Sequence, residues 1–169
     1  MRPVRSRVIQ WGYDPGMMTF LKSTLDKLRG PIVDDAPDPL RAHLPLAALM
    51  VRAARSNHDY DPRQIAMIDT VLAERLPLAG DQSAMLRREA ELLEAATGDT
   101  VHLTRAVKDL VPLEERAALL QDMWRVILAD GKRHAEEDGL MRLVSNLLGL
   151  ADRESAFARQ RVQAGAPAS

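Results

Sequence analysis

The sequence predicts an all-α domain, a single bundle of about seven helices that contains two related helix–loop–helix units. Hydrophobic residues make up 46% of the 169 residues and aromatic residues only 4%, so the core has to be aliphatic. Such a mixture favours helices, because strands are enriched in β-branched and aromatic residues. Apolar residues also recur at spacings of three and four, the period of a helix with one buried face. The clearest run is Leu119, Leu120, Met123, Trp124, Ile127 and Leu128.

Composition narrows the classes of partner and site. The 23 basic and 24 acidic side chains nearly cancel, and a formal net charge of −1 gives no field that would attract nucleic acid. The absence of cysteine excludes disulfides, thiolate metal sites and cysteine catalysis. No apolar run approaches the ~20 residues that a membrane-spanning helix needs. We therefore expect a cytoplasmic protein with no transmembrane segment and no nucleic-acid partner.

The first residues differ from the rest of the chain. Residues 1–17 mix glycine and proline with isolated apolar side chains and show no helical period. They are interpreted either as a disordered tail or as an over-extended reading frame whose true start is Met17 or Met18. A short amphipathic helix is expected over 19–28, followed by a linker rich in proline and aspartate over 29–38.

The helical domain is expected over 18–162, with a frayed tail over 163–169. Its sharpest boundaries are Asp61-Pro62, an N-cap followed by proline at the first helical position, and Gly131, a residue that readily ends a helix. The predicted helices cover about 39–56, 61–76, 81–97, 99–110, 114–130, 135–148 and 152–162.

The apolar spacing also predicts which side chains face the core. The helix over 135–148 is expected to bury Leu140, Leu143, Val144 and Leu147. Phe157 is expected to face inward in the last helix, and Trp124 belongs to the apolar stripe of its helix. The charged run 87–94 is interpreted as a solvated face whose ion pairs contribute little.

The two helix–loop–helix units are related by an offset of 73 residues. We therefore expect the two hairpins to pack against each other, with the helices over 81–97 and 99–110 crossing between them. The alternative is a chance similarity of two amphipathic hairpins. The aligned pairs are Met50 with Met123, Arg52 with Arg125, Asn57 with Asp130, Asp61 with His134, Gln64 with Glu137, Ile68 with Met141 and Val71 with Val144.

Four segments, 53–62, 113–116, 124–131 and 147–150, resemble the TerB-like tellurite-resistance family. That family is related to the N-terminal domain of the membrane-associated co-chaperone DjlA. The resemblance covers about residues 18–162, and its best single piece is the Ala-Asp-Gly turn between two aliphatic helices. It implies an all-helical fold of about seven helices with two related helix–loop–helix units.

The resemblance also implies a candidate divalent-cation site. In this family each unit tends to carry Asp-Gly-x-x-Asp-x-x-Glu, whose acidic residues have been taken as cation ligands. The second unit matches at Asp130 and Glu137, with His134 in place of the middle aspartate. The first unit matches only at Asp61. Its neutral replacements are Asn57 and Gln64.

The candidate metal ligands are therefore Asp61, Asp130, His134 and Glu137, and the candidate ions are calcium, magnesium, manganese and zinc. Fewer carboxylates offset less of the cost of dehydrating a hard cation, and an imidazole shifts the preference toward zinc or a similar ion. The alternative is that these residues only cap helices, because carboxylates near a helix N-terminus are stabilised without any metal.

These observations lead to a ranked set of functions. The first is a non-enzymatic TerB-like module that acts in a stress response by binding an unknown protein partner. This module could also associate peripherally with a membrane complex. The second is a divalent metal-ion binding or sensing protein. An enzyme with a carboxylate-lined pocket ranks last, because the sequence has no phosphate-binding glycine loop, no nucleophile elbow and no acid/base pair in opposed environments.

Overall fold

The computed structural model describes residues 40–165, which fold into helices and turns. Within them lie seven α-helices: α1 (Leu44–Arg55), α2 (Pro62–Arg75), α3 (Gln82–Ala96), α4 (Thr100–Leu110), α5 (Arg116–Ile127), α6 (Ala135–Leu147) and α7 (Asp152–Gln163). Single 3-10 turns lie at Arg41–His43, Leu113–Glu115 and Leu128–Asp130. No strand occurs in this part of the chain, so the predicted all-α class is confirmed. The expectations for 1–17, 19–28, 29–38 and 166–169 lie outside the described residues.

Helix ends fall where the local sequence starts or stops a helix. Asp61 is the N-cap of α2, where its Oδ1 accepts a hydrogen bond from the backbone N–H of Arg63 at 2.8 Å, and Pro62 is the first helical residue. The 3-10 turn after α5 ends at Gly131, whose φ of +75° is the left-handed conformation that glycine adopts at little cost. Both predicted boundaries are confirmed.

The core is aliphatic, and α1 lies at its centre. Leu49, Met50 and Val51 are fully buried within α1, on which α3 and α4 pack. Trp124 is buried in α5 against α7, where its indole N–H donates to the hydroxyl of Ser155 at 3.1 Å, so its assignment to the core is confirmed. Among the described helices, none combines the length and the apolar character needed to cross a bilayer.

The two predicted units pack directly on each other. Helices α1 and α2 form the first unit, and α5 and α6 form the second. Helix α5 contacts both helices of the first unit, and α1 also contacts α6. Helix α4 reaches from α1 to α6 as expected, whereas α3 packs chiefly on the first unit. The two units therefore contact each other directly, and the turn between α1 and α2 can approach the turn between α5 and α6.

Two predicted core positions are wrong. The side chain of Leu143 is 46% exposed and that of Phe157 is 59% exposed. In α7 the buried positions are Ser155 and Ala158 instead. Both helices carry apolar residues on more than one face, so spacing alone did not decide which face is buried. The buried stripe of α6 and the turn after it is Met141, Val144 and Leu148.

The charged run of α3 is a solvated face only in part, because Arg87 is buried between α2 and α3. Its guanidinium donates to Asp69 of α2 at 2.7 and 3.3 Å and to Glu91 of its own helix at 2.7 Å. The Arg87 side chain is only 10% exposed. Two carboxylates therefore hold one buried cation at the contact between two helices.

Glu94 makes a second contact of this kind, between α3 and α1. Its carboxylate accepts hydrogen bonds from Arg52 at 3.2 Å and from Arg55 at 2.9 Å. Arg52 also donates to the carbonyl oxygens of Glu94 and Thr97, which lie at the negative end of the α3 dipole. The predicted solvated face is therefore wrong for Arg87 and Glu94, which pair with residues of other helices. Arg88 and Glu89 of the same run are exposed as expected.

Replacing Arg87 with alanine should destabilise the domain substantially. The change leaves the carboxylates of Asp69 and Glu91 without their cation in a partly buried site, which should lower the free energy of unfolding by about 2–4 kcal/mol. Urea denaturation monitored by circular dichroism measures this loss. The matched control is Arg88→Ala, an exposed neighbour that makes no ion pair within residues 40–165, and its effect should stay below about 0.5 kcal/mol. Equal losses in the two variants would contradict the assignment.

Candidate metal centre

The turn between α5 and α6 brings three of the four candidate ligands together. Asp130 ends the 3-10 turn, and the left-handed Gly131 reverses the chain after it. His134 is the N-cap of α6, and Glu137 occupies the third helical position. The Oε2 atom of Glu137 accepts a hydrogen bond from the His134 backbone N–H at 3.1 Å, so the carboxylate folds back over the start of the helix.

Asp130, His134 and Glu137 each offer one ligand atom, and these atoms lie within 4.8 Å of one another. Glu137 is fully buried and Asp130 is 4% exposed. Asp130 Oδ1 accepts from the backbone N–H of Lys132 at 2.8 Å. Its other oxygen, Oδ2, lies 3.8 Å from His134 Nε2, which is too far for a hydrogen bond and close to the spacing of two ligands of one ion.

The turn of the first unit docks on the same carboxylate. Asn57 Nδ2 donates to Glu137 Oε1 at 3.0 Å. Gln64 Nε2 lies 3.5 Å from the same oxygen and donates to the carbonyl oxygen of Ile127 at 3.1 Å. The turn of the second unit therefore meets Asn57 and Gln64 of the first unit at Glu137.

Asp61, the fourth candidate ligand, is not part of this cluster. Its two carboxylate oxygens accept hydrogen bonds from the Arg63 guanidinium at 3.0 and 2.8 Å, in addition to the capping bond. These hydrogen bonds lower the pKa of Asp61 to about 2. The structure gives Asp61 the role of a helix cap paired with Arg63.

Burial raises the pKa of Glu137, because a carboxylate is less stable away from water. The hydrogen bond from His134 and the interaction with Gln64 oppose this shift, whereas the negative charge of Asp130 adds to it. A cation among these groups would stabilise the ionised carboxylate.

Two buried polar atoms at this contact, His134 Nε2 and Gln64 Oε1, have no hydrogen-bond partner among the described residues. Buried polar atoms are normally paired, and leaving one unpaired costs about 1–3 kcal/mol. A neutral imidazole nitrogen and an amide oxygen are both atoms that coordinate divalent cations. These two unpaired atoms are independent of the carboxylates and have the chemistry of cation ligands.

The donor set fits a divalent cation. A tetrahedral zinc ion holds its ligands at ~2.0–2.2 Å and therefore ~3.4 Å from one another. The 3.8 Å gap between Asp130 Oδ2 and His134 Nε2 approaches this spacing. Asn57 would hold the Glu137 carboxylate in place from outside, as the hydrogen-bond partners of metal ligands commonly do.

Sequence reasoning missed the part that Asn57 and Gln64 play in this site. It treated both residues only as neutral replacements for acidic ligands, whereas their amide groups bind Glu137. The offset of 73 residues could have indicated this role, because it aligns Gln64 with Glu137 and Asn57 with Asp130.

The comparisons with known proteins agree with the fold and the turns. A family model described as tellurite resistance protein TerB matches residues 43–160, which include both helix–loop–helix units and the whole candidate centre. No curated protein and no solved structure matches the chain. The family match extends over more than half of the sequence, and the resemblance seen in the sequence is confirmed. The chain belongs to the TerB family.

Proposed function

We propose that this TerB family protein is a non-catalytic module that binds a divalent cation through Asp130, His134 and Glu137. The observation that carries the proposal is the buried His134 Nε2, which has no hydrogen-bond partner within residues 40–165 and lies 3.8 Å from Asp130 Oδ2. Two carboxylates withdrawn from water repel each other, and an ion between them offsets that cost. The TerB family is not a known enzyme family, which supports binding rather than catalysis.

The donor set favours zinc or manganese over calcium and magnesium. Calcium prefers six to eight oxygen ligands and magnesium keeps several of its waters, whereas an imidazole suits transition metals. The ion would join the end of α5 to the start of α6. Through the hydrogen bond between Asn57 and Glu137 it would also brace the first unit.

Adding the preferred ion should raise the melting temperature of the full chain. An ion at about a hundredfold excess over its dissociation constant stabilises the native state by about 2.7 kcal/mol, which corresponds to roughly 5–10 °C for a domain of this size. Calorimetry and thermal melts with zinc, manganese, calcium and magnesium, each added separately, measure this effect.

The matched pair of variants for this test is His134→Ala and His102→Ala. Both histidines lie near a helix N-terminus, but His102 is exposed and pairs with Asp99 outside the centre. His134→Ala should abolish the shift and His102→Ala should keep it. The proposal fails if no ion gives heat or raises the melting temperature at millimolar concentration.

Replacing Asn57 with aspartate should make stability depend on the ion. The new carboxylate removes the donor that faces Glu137 Oε1 and sets two negative charges side by side. Without metal the free energy of unfolding should fall by about 1–3 kcal/mol. With zinc or manganese the extra carboxylate should strengthen binding and recover the loss.

Gln160→Glu is the control for Asn57→Asp, since it adds the same charge at an exposed position of α7. Urea denaturation with a chelator and with added ion compares the two variants. A loss in Asn57→Asp that no divalent ion reduces would count against a cation at this contact.

A protein-interaction role is the second candidate, and Phe157 favours it. This side chain is 59% exposed and borders a shallow cavity of about 210 Å3 between α5 and α7, which Ala117, Ala118 and Ala158 also line. Aromatic side chains are enriched at contact surfaces. The cavity is also lined by the polar side chains of Glu114, Gln121, Glu154 and Arg161. The partner in a stress response, and any peripheral association with a membrane complex, would engage this surface.

A photo-crosslinking residue at position 157 tests this second role in cells exposed to stress. One discrete adduct should form there, and none should form when the crosslinker replaces Arg88, which is exposed on α3. The same adducts from both positions, or none from either, would remove Phe157 from consideration as a contact residue.

A further inference from the structure

A cavity of about 430 Å3 opens between α5, α6 and α7, apart from the candidate metal ligands. Its volume lies within the range of small-ligand sites. Four arginines and two aspartates line it, which gives a local formal charge of +2. These residues are Arg133, Arg142, Arg153, Arg159, Asp138 and Asp152.

The two aspartates are compensated by other groups. Asp138 accepts two hydrogen bonds from the Arg133 guanidinium, at 3.0 and 2.6 Å. Asp152 is the first residue of α7, where the helix dipole stabilises a carboxylate. The positive charges of Arg142, Arg153 and Arg159 therefore exceed the negative charge left to pair with them in this cavity.

Three of these arginines have guanidinium N–H groups without an acceptor among the described residues. The side chains of Arg142 and Arg153 make no ion pair or hydrogen bond with any of residues 40–165. Arg159 Nε is buried and has no hydrogen-bond partner in that range. The Arg159 guanidinium packs over the ring of Trp124 at 5.7 Å, and its nearest acidic atom is Asp138 Oδ1 at 4.0 Å. Packing on the indole orients this guanidinium before any ligand arrives.

A buried hydroxyl completes the set of donors. Ser155 lines the cavity and is 6% exposed. Its Oγ accepts from Trp124 Nε1 at 3.1 Å, so its own O–H proton remains free to donate, and no acceptor among the described residues takes it. On a basic surface in contact with water, the donors would be exposed. Here a guanidinium nitrogen and a hydroxyl are buried without acceptors, although buried donors are normally paired.

We infer that this cavity binds a phosphate monoester. A phosphate monoester carries close to two negative charges and three terminal oxygens, which match a local charge of +2 and donors on several side chains. Arginine forks bind phosphate oxygens in pairs. The ring of Trp124 is buried beneath Arg159, so no open aromatic face is left for a nucleobase to stack on.

A free phosphorylated metabolite and the headgroup of phosphatidic acid present the same group, so the test needs both sources. Glycerol 3-phosphate and inorganic phosphate are titrated into the full chain at about 150 mM salt, where non-specific attraction is screened. Nitrogen-15 NMR follows the arginine Nε–H resonances. We expect the Arg159 signal, identified by its absence in Arg159→Lys, to shift and saturate with glycerol 3-phosphate.

The decisive variants are the double changes Arg142→Gln with Arg153→Gln and, as the control, Arg88→Gln with Arg105→Gln. All four arginines are exposed, and both pairs remove the same charge. The first pair should weaken glycerol 3-phosphate binding at least about tenfold, and the second less than about twofold. Similar losses in both pairs would show that the attraction is non-specific and would overturn the inference.

Vesicles identify the source of the phosphate. Phosphatidylcholine vesicles that carry about one phosphatidic acid in five lipids are compared with vesicles that carry phosphatidylserine instead. Binding to phosphatidic acid alone, lost in Arg142→Gln with Arg153→Gln, would assign the site to a headgroup. Saturable binding of glycerol 3-phosphate without vesicle binding would assign it to a soluble ligand. Failure of every phosphate probe to bind, or vesicle binding that the two changes leave intact, overturns the inference.

Discussion

The carboxylate of Glu137 is the contact on which the arrangement of the two units depends. It is fully buried, and it accepts hydrogen bonds from Asn57 and Gln64 of the first unit and from the backbone of His134 in its own turn. Hydrogen bonds to a charged group contribute about 1.5–3 kcal/mol each, and a buried carboxylate without them is strongly destabilising. One side chain therefore caps α6, joins the two units and is a candidate ligand of the proposed cation.

The neutral residues of the first unit follow from this contact. The offset of 73 residues places Asn57 opposite Asp130 and Gln64 opposite Glu137. Aspartate and glutamate at both positions of the first unit would set two more carboxylates against the buried oxygens of Glu137, and like charges in such a site repel strongly. Amide groups donate hydrogen bonds instead. With Asn57 and Gln64 neutral, the candidate group found among residues 40–165 is Asp130, His134 and Glu137.

Features that depend on neighbouring residues could be predicted from the sequence, and features that depend on distant ones could not. The helix boundaries at Asp61 and Gly131 follow from capping and from glycine geometry, and both are observed. Leu143 was misplaced because α6 has more apolar residues than its buried face can hold. Arg87 was misjudged because its partner lies on another helix. The candidate ligands came from the family pattern, whereas the meeting of the two turns at Glu137 is a tertiary contact that no local pattern encodes.

The start of α6 serves two different surfaces with consecutive residues. Successive residues of an α-helix project about 100° apart, so Glu137 and Asp138 point to different sides. Glu137 faces the first unit, and Asp138 holds Arg133 beside the arginine-lined cavity. Because no side chain is shared, a cation on one side and a phosphate on the other would not compete for the same groups.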